Sequence, residues 1–244
     1  MKKTFASLLI LSGLGLSAAA IADSAEKPAP EPVSGGEQPT DRWVPADGEN
    51  LTFKVIDGRK TIGELTLDFA YDDDGVLTIV RDHQFQASRF FMSFSMDQDM
   101  TSKWRDNKLV YMKNDMFFDT PMGDQDFTFE AEEGQYGDLH AQTEAGPRII
   151  PGDAYPETFW NSSFFENDRF FRAYLGSETT PQFRKAGVDY VTLNGEDTTC
   201  VRYDVTTQNL QGEDQTNQYW FEQNGRLCQM AFTNPAGTFY YKRD

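Results

Sequence analysis

Histidine and cysteine are scarce in this chain, with two of each in 244 residues. Neither His83 nor His140 has a second ligand-type residue at metal-binding spacing, so no zinc motif is present, and both read as solvated or sheet-surface side chains. G-x-S-x-G, H-E-x-x-H, phosphate-loop and paired C-x-x-C patterns are absent too, which removes the motif-borne hydrolase, metalloprotease and nucleotide classes. The acidic run Asp72-Asp73-Asp74-Gly75 lacks EF-hand spacing and its closing glutamate and reads as a polar hairpin turn. No cofactor and no metal are therefore expected. Cationic side chains are also few: 22 Lys+Arg stand against 39 Asp+Glu, a formal net charge of −17. A chain so acidic repels phosphate backbones and anionic membrane surfaces, so nucleic acid is not an expected partner. After residue 22 no apolar run approaches the ~20 residues that span a bilayer, so stable membrane insertion is not expected either.

What is present begins with MKKTFASLLILSGLGLSAAAIA. Lys2 and Lys3 precede a short apolar stretch and the small-residue pattern Ala20-Ile21-Ala22, the pattern of a secretory signal cleaved after Ala22. Residues 1–22 are thus expected to direct the chain to the periplasm or outside the cell. Residues 23–47 alternate Pro28, Pro30, Pro32, Gly35 and Gly36 with charged and small side chains. That composition buries too little apolar surface to offset chain entropy, and a disordered leader is expected. Residues 48–244 are about the length of one β-rich domain.

The body of the chain alternates with period two. Met92, Phe94, Met96, Met100 and Trp104 share one face against Ser93, Ser95, Asp97, Asp99, Thr101 and Lys103. Leu65, Leu67, Phe69 and Tyr71 repeat the pattern of a half-buried antiparallel strand. Asp57-Gly58, Asp74-Gly75, Asn194-Gly195 and Asn224-Gly225 supply the positive backbone angles of tight hairpins. A two-residue turn at the last of them pairs Phe221 with Cys228 and Tyr219 with Met230. The fold class expected is mainly β: an antiparallel meander forming a barrel or strongly curved sheet, with one aromatic-rich helix packed against it.

That helix is expected in residues 155–175, YPETFWNSSFFENDRFFRAYL. At a helical 100° per residue, Phe159, Trp160, Phe164, Phe170, Phe171, Tyr174 and Leu175 share an arc of roughly 160°, with Phe165 outside it. Ser163 followed by Glu166 fits a capping box, Pro156 an early helical turn, and Gly176 a stop. Methionine and aromatic side chains adapt to irregular apolar ligands. Met96, Trp104, Trp160, Phe164, Phe171 and Tyr174 are accordingly the candidate ligand-binding residues, while simple core packing is the plainer reading of the same rings. No catalytic residue is singled out.

Cys200 and Cys228 fall in the C-terminal meander and, in an exported chain, are open to oxidation. Strand parity places Cys228 with Met230 and Phe232, and Cys200 opposite to Val201, Tyr203 and Val205. A regular ladder therefore keeps the two apart, while a bulge brings them to one face, and both outcomes stay open.

The segments FKVIDGRKTIGELTLDF, ETFWN, CVRYDVT, NQYWFEQNGRLCQMAF and GTFYYKR, spread over residues 51 to 242, resemble an exported proteobacterial family of unknown function, number 6134. More distantly the chain is similar to other exported curved-sheet or barrel domains of unknown function. The resemblance implies an exported β-rich domain and carries over no catalytic residue. The leading expectation is a non-enzymatic binding or envelope-maintenance module whose inner sheet face holds an apolar or amphipathic small molecule. An enzyme acting on an envelope polysaccharide, or a structural partner-binding protein, are the alternatives. No pattern specifies an oligomeric state.

Overall fold

A computed structural model describes residues 43–244 apart from 90–91, 121–122, 209–212 and 235–236. The expected signal segment, 1–22, lies outside the described residues, as does the expected disordered leader, 23–47, up to residue 42; residues 43–47 are instead held on the sheet, with Trp43 edge-on to Phe69 at 5.3 Å and Asp47 Oδ1 accepting from Tyr71 N–H at 2.9 Å. The first half of the domain is a run of hairpins: β1 (Asn50–Asp57), β2 (Lys60–Tyr71), β3 (Leu77–Arg89), β4 (Met92–Arg105), β5 (Lys108–Asp119), β6 (Gln125–Glu133), β7 (Leu139–Thr143) and β8 (Gly146–Ile150). Three two-residue strands follow, β9 (Tyr155–Pro156), β10 (Phe170–Phe171) and β11 (Glu178–Thr179). The second run comprises β12 (Gln182–Leu193), β13 (Glu196–Gln208), β14 (Asp214–Phe221), β15 (Leu227–Asn234) and β16 (Gly237–Arg243). Antiparallel pairing of β16 with β1 joins the runs into one 13-stranded sheet, ordered β12-β13-β14-β15-β16-β1-β2-β3-β4-β5-β6-β7-β8.

Two-residue hairpins form where the chain offers residues that tolerate positive φ. Asn194 and Gly195 (φ 51° and 84°) close β12 on β13, and Asp106 and Asn107 (φ 51° and 62°) close β4 on β5. Alternate side chains then fall on one face. In β3 that face carries Leu77, Ile79, Arg81, His83, Phe85 and Ala87, and in β4 Phe94, Met96, Gln98, Met100, Ser102 and Trp104. This face is concave. Three strand steps of ~4.8 Å separate β3 from β16 in a flat sheet, or ~14 Å. Yet the rings of His83 and Tyr241 lie 5.2 Å apart, and those of Phe94 and Phe239, four steps apart, lie 5.9 Å apart. Gly63 sits beside the bulge between Val55 and Ile56, where a Cβ would stand 2.1 Å from the Gln84 carbonyl oxygen. Only glycine fits there.

The sheet, expected as a barrel or a strongly curved sheet, is not a closed barrel. Among the described residues no pairing joins β8 to β12, which remain the two edges of the sheet.

The expected aromatic helix is overturned as well. No α-helix occurs among the described residues, and residues 155–175 instead form β9, a 3₁₀ turn at Ser162–Glu166, and β10. The local polar side chains explain why. Asn161, not Ser163, caps the turn, its Oδ1 accepting from Ser163 N–H and from Ser163 Oγ, and Asn167 Nδ2 donates to the carbonyl of Ser163. Such side chain–backbone bonds compete with helical ones, and the five Asn, Ser and Asp residues among 161–168 are weak helix formers. Pro156 pairs in a strand, and Gly176 (φ 63°) closes a turn by donating to the Arg172 carbonyl at 2.8 Å. The rings still face inward, but as an irregular plug rather than a helical arc. Phe159, Phe164, Phe170 and Phe171 join the core formed by the sheet's concave face, and Phe165, expected off the arc, stacks 4.0 Å from Tyr203.

On the convex face a smaller core holds Val191, Leu193, Cys200, Trp220, Cys228 and Ala231. Cys200 and Cys228 are joined there by a disulfide. Strict parity fails because β15 carries a bulge: Trp220 pairs with Gln229 but Phe221 with Leu227, leaving Cys228 as the extra residue. The expected two-residue turn with its Phe221–Cys228 pair is therefore replaced by a longer loop, Glu222 to Arg226, while Tyr219 does pair with Met230.

Candidate functional site

The concave face is mostly apolar but also buries the neutral polar side chains Gln98, Ser102 and Asn114, and β3 adds two ionisable ones. Arg81 and His83, two residues apart on β3, point into the interior between Ile79 and Phe85. This corrects the surface reading of His83, which is 3% exposed; His140, on β7, is exposed. Arg81 is enclosed by protein yet keeps part of its surface accessible. Burial draws its pKa down, with Tyr241 and Tyr219 acting the other way, and no carboxylate is among the groups that influence it. A guanidinium keeps its proton even so. Arg81 is thus a half-buried cation with no ion pair among the described residues, in a chain that has an excess of 17 acids.

Its hydrogen bonds are also incomplete. One guanidinium nitrogen, Nη2, stands 3.5 Å from His83 Nδ1, while Nε has no partner. Burial holds the imidazole pKa well below its ordinary value, Arg81 pushes the same way, and Gln98, opposite His83 on β4, acts in the other direction. A neutral ring that accepts from Arg81 at Nδ1 carries its proton on Nε2. That N–H makes no hydrogen bond of good geometry, although Gln98 stands close enough to act on the ring as a hydrogen-bond partner. Burial raises the phenol pKa of both Tyr219 and Tyr241, so both hydroxyls keep their protons. Guanidinium, imidazole and two protonated phenols thus lie within electrostatic reach of one another, with the Glu157 carboxyl acting on Tyr219 from the plug side.

From this group a row of rings leads toward the end of the sheet away from the plug. Phe85 lies 5.6 Å from His83, 6.2 Å from Phe94 and 6.0 Å from Phe239, and Phe232 lies 5.2 Å from Tyr241. Phe85, Phe94 and Phe232 are only partly buried. The other end is closed by the plug, which Asn114 anchors by donating to the Ala173 carbonyl at 3.0 Å while accepting from Gln98 at 2.8 Å.

The candidate residues read from the sequence divide into three settings. Trp104 and Trp160 meet at 6.1 Å beneath the plug and line a cavity of about 200 Å³. Phe164 and Phe171 are completely buried, Phe164 against Phe159 and Phe221, Phe171 against Phe129. Met96, opposite Phe85, and Tyr174, 5.5 Å from Phe127, lie toward the open end. Arg81, His83, Tyr219 and Tyr241 escaped sequence reasoning, although the run Ile79-Arg81-His83-Phe85 places the two polar residues on the buried parity of β3.

A family model described as "Domain of unknown function (DUF6134)" matches residues 53–244. None of the curated proteins matches the chain. Among solved structures it is similar to a beta-barrel-like protein of domain of unknown function DUF1849 from Brucella abortus. Identity there is 9%, the TM-score is 0.56, and the alignment covers 80% of this chain and 94% of that one. At that identity the likeness is one of fold.

Proposed function

The chain belongs to the DUF6134 family, and within that family of unknown function we propose that it is a non-enzymatic binding module for an amphipathic anion. A carboxylate- or phosphate-type head sits at Arg81, and an apolar tail runs along Phe85, Phe94, Phe232 and Phe239. What supports this reading is the half-buried Arg81, which has no ion pair among the described residues and an unmet Nε, followed by the partly buried rings of Phe85 and Phe94 and by Phe239. A native structure rarely leaves a buried charge unmet, and a bound ion is one of the few standing explanations. A head held by charge-assisted hydrogen bonds together with a tail in an aromatic sleeve has the composition of a small-molecule site.

The same reading places the protein outside the cytoplasm. Cleavage after Ala22 yields a periplasmic or secreted domain, and the Cys200–Cys228 bridge suits an oxidising compartment.

Titration with dodecanoate and with dodecanol, followed by calorimetry, tests the reading. Dodecanoate binds at least tenfold more tightly than dodecanol, and Arg81→Met erases the difference. Equal affinity for the two, or no binding of either, overturns it.

A further inference from the structure

A second site lies at the plugged end, away from Arg81. The cavity of about 200 Å³ there is walled by Trp43, Tyr71, Trp104 and Trp160 and edged by Asp106 and Asn107. Trp160 stands between the other two indoles, 6.0 Å from Trp43 and 6.1 Å from Trp104, nearly edge-on to both. Three of the four tryptophans in the chain thus meet around one space. A core that needed only filling would close it. Trp104 donates its N–H to Ser102 Oγ at 2.9 Å, but the Trp160 N–H finds no acceptor in the protein. The polar edge is held in place by backbone chemistry, since both Asp106 and Asn107 occupy the left-handed region in the β4–β5 turn (φ 51° and 62°) and keep exposed side chains.

Size and chemistry select the occupant. A volume worth about six or seven waters is too small for a lipid tail and fits one six-membered ring. Aromatic walls favour either a cation or a ring with apolar faces. A cation is disfavoured because Arg226 already lies over the Trp43 ring at 5.5 Å, paired with Glu49. The Asp106 carboxylate likewise disfavours an anion. What remains is a neutral ring with apolar faces and a rim of hydroxyls that both donate and accept. We propose that this cavity is a binding subsite for one hexose ring of a neutral glycan, with the half-buried Trp43 and Tyr71 against the ring, the buried Trp104 and Trp160 behind them, and Asp106 and Asn107 on its hydroxyls.

Saturation-transfer NMR with four methyl glycosides, of glucose, galactose, mannose and N-acetylglucosamine, tests this on the intact protein. At least one glycoside is expected to receive saturation on its ring protons and to shift tryptophan emission. The double variant Asp106→Gly, Asn107→Gly keeps the backbone angles of the turn while removing its polar edge. It is expected to bind that glycoside at least fivefold more weakly at unchanged melting temperature. Transfer to none of the four overturns the proposal. So does undiminished binding by the double variant, and so does binding of tetramethylammonium in place of the sugars. Dodecanoate binding by the same variant stays at the wild-type level, so failure here leaves the Arg81 reading standing, and the reverse.

Discussion

The imidazole of His83 packs edge-on against the phenol ring of Tyr241 at 5.2 Å, across strands that are three places apart in the sheet. The curl that makes this contact also encloses Arg81, so the architecture and the candidate site have one origin. A flat sheet would leave these side chains in water, where neither a lone cation nor an unmet imidazole has any consequence.

Removing the half-buried charge without changing shape should stabilise the empty protein. Arg81→Met preserves much of the stem and removes a group whose unmet Nε–H costs about 1–3 kcal/mol. Urea unfolding of the ligand-free protein is expected to show the variant more stable by about that amount. A loss of stability would mean that Arg81 has a structural partner.

His83 imposes a sign on the pH dependence. Its folded pKa lies below its unfolded value of about 6.5, so the unfolded chain takes up a proton first as pH falls. Its contribution is fully present above pH ~6.5 and is lost below it, by up to about 1.4 kcal/mol per pH unit. Glu157 has the opposite sign, because burial raises its pKa despite a hydrogen bond from Thr179 and the nearby Arg172. Comparing wild type with His83→Gln from pH 7.5 to 5 should show the falling limb in wild type and its absence in the variant.

The disulfide closes a loop with a sequence separation of 28 residues, which on the chain-entropy account stabilises by about 3–4 kcal/mol. Denatured, unreduced protein from an exporting host should take up no thiol reagent at Cys200 or Cys228. After reduction both should label, and the midpoint of unfolding should fall accordingly. Labelling of both without reduction would return the register of β15 to a regular ladder.

The plug predicts that Phe165→Ala and Phe171→Ala are both destabilising. Phe171 is wholly buried against Phe129 and should cost about 3–5 kcal/mol. Phe165 is half-buried but stacked on Phe164 and Tyr203, each at 4.0 Å, and should cost at least 1 kcal/mol. A helix with Phe165 on its outer side would make that second substitution nearly neutral.

Strands were legible because period two and turn residues are local: Asn194-Gly195 sits in its hairpin as read, and β2 and β4 carry the expected faces. The aromatic segment misled because ring spacing over 20 residues also matches 3.6, while the decisive bonds of Asn161 and Asn167 are short-range polar ones that periodicity ignores. Bulges are likewise invisible to a strict alternation, and one of them decides where Cys228 points. Arg81 was missed for a different reason. Its parity marks it as inward-facing, but only the curl, a product of pairs such as Phe94 and Phe239 far apart in sequence, shows that inward means enclosed.

The most direct measurement of the central claim is the titration of dodecanoate labelled with ¹³C at the carboxyl and bound to the protein. A carboxylate beside a half-buried guanidinium keeps its charge well below the ordinary carboxyl pKa of about 4.3. The bound ¹³C signal is therefore predicted to stay at its carboxylate position at pH values where free dodecanoate has protonated, and to lose that behaviour in Arg81→Met. A bound signal that titrates like the free acid in the wild type would contradict an anion site at Arg81.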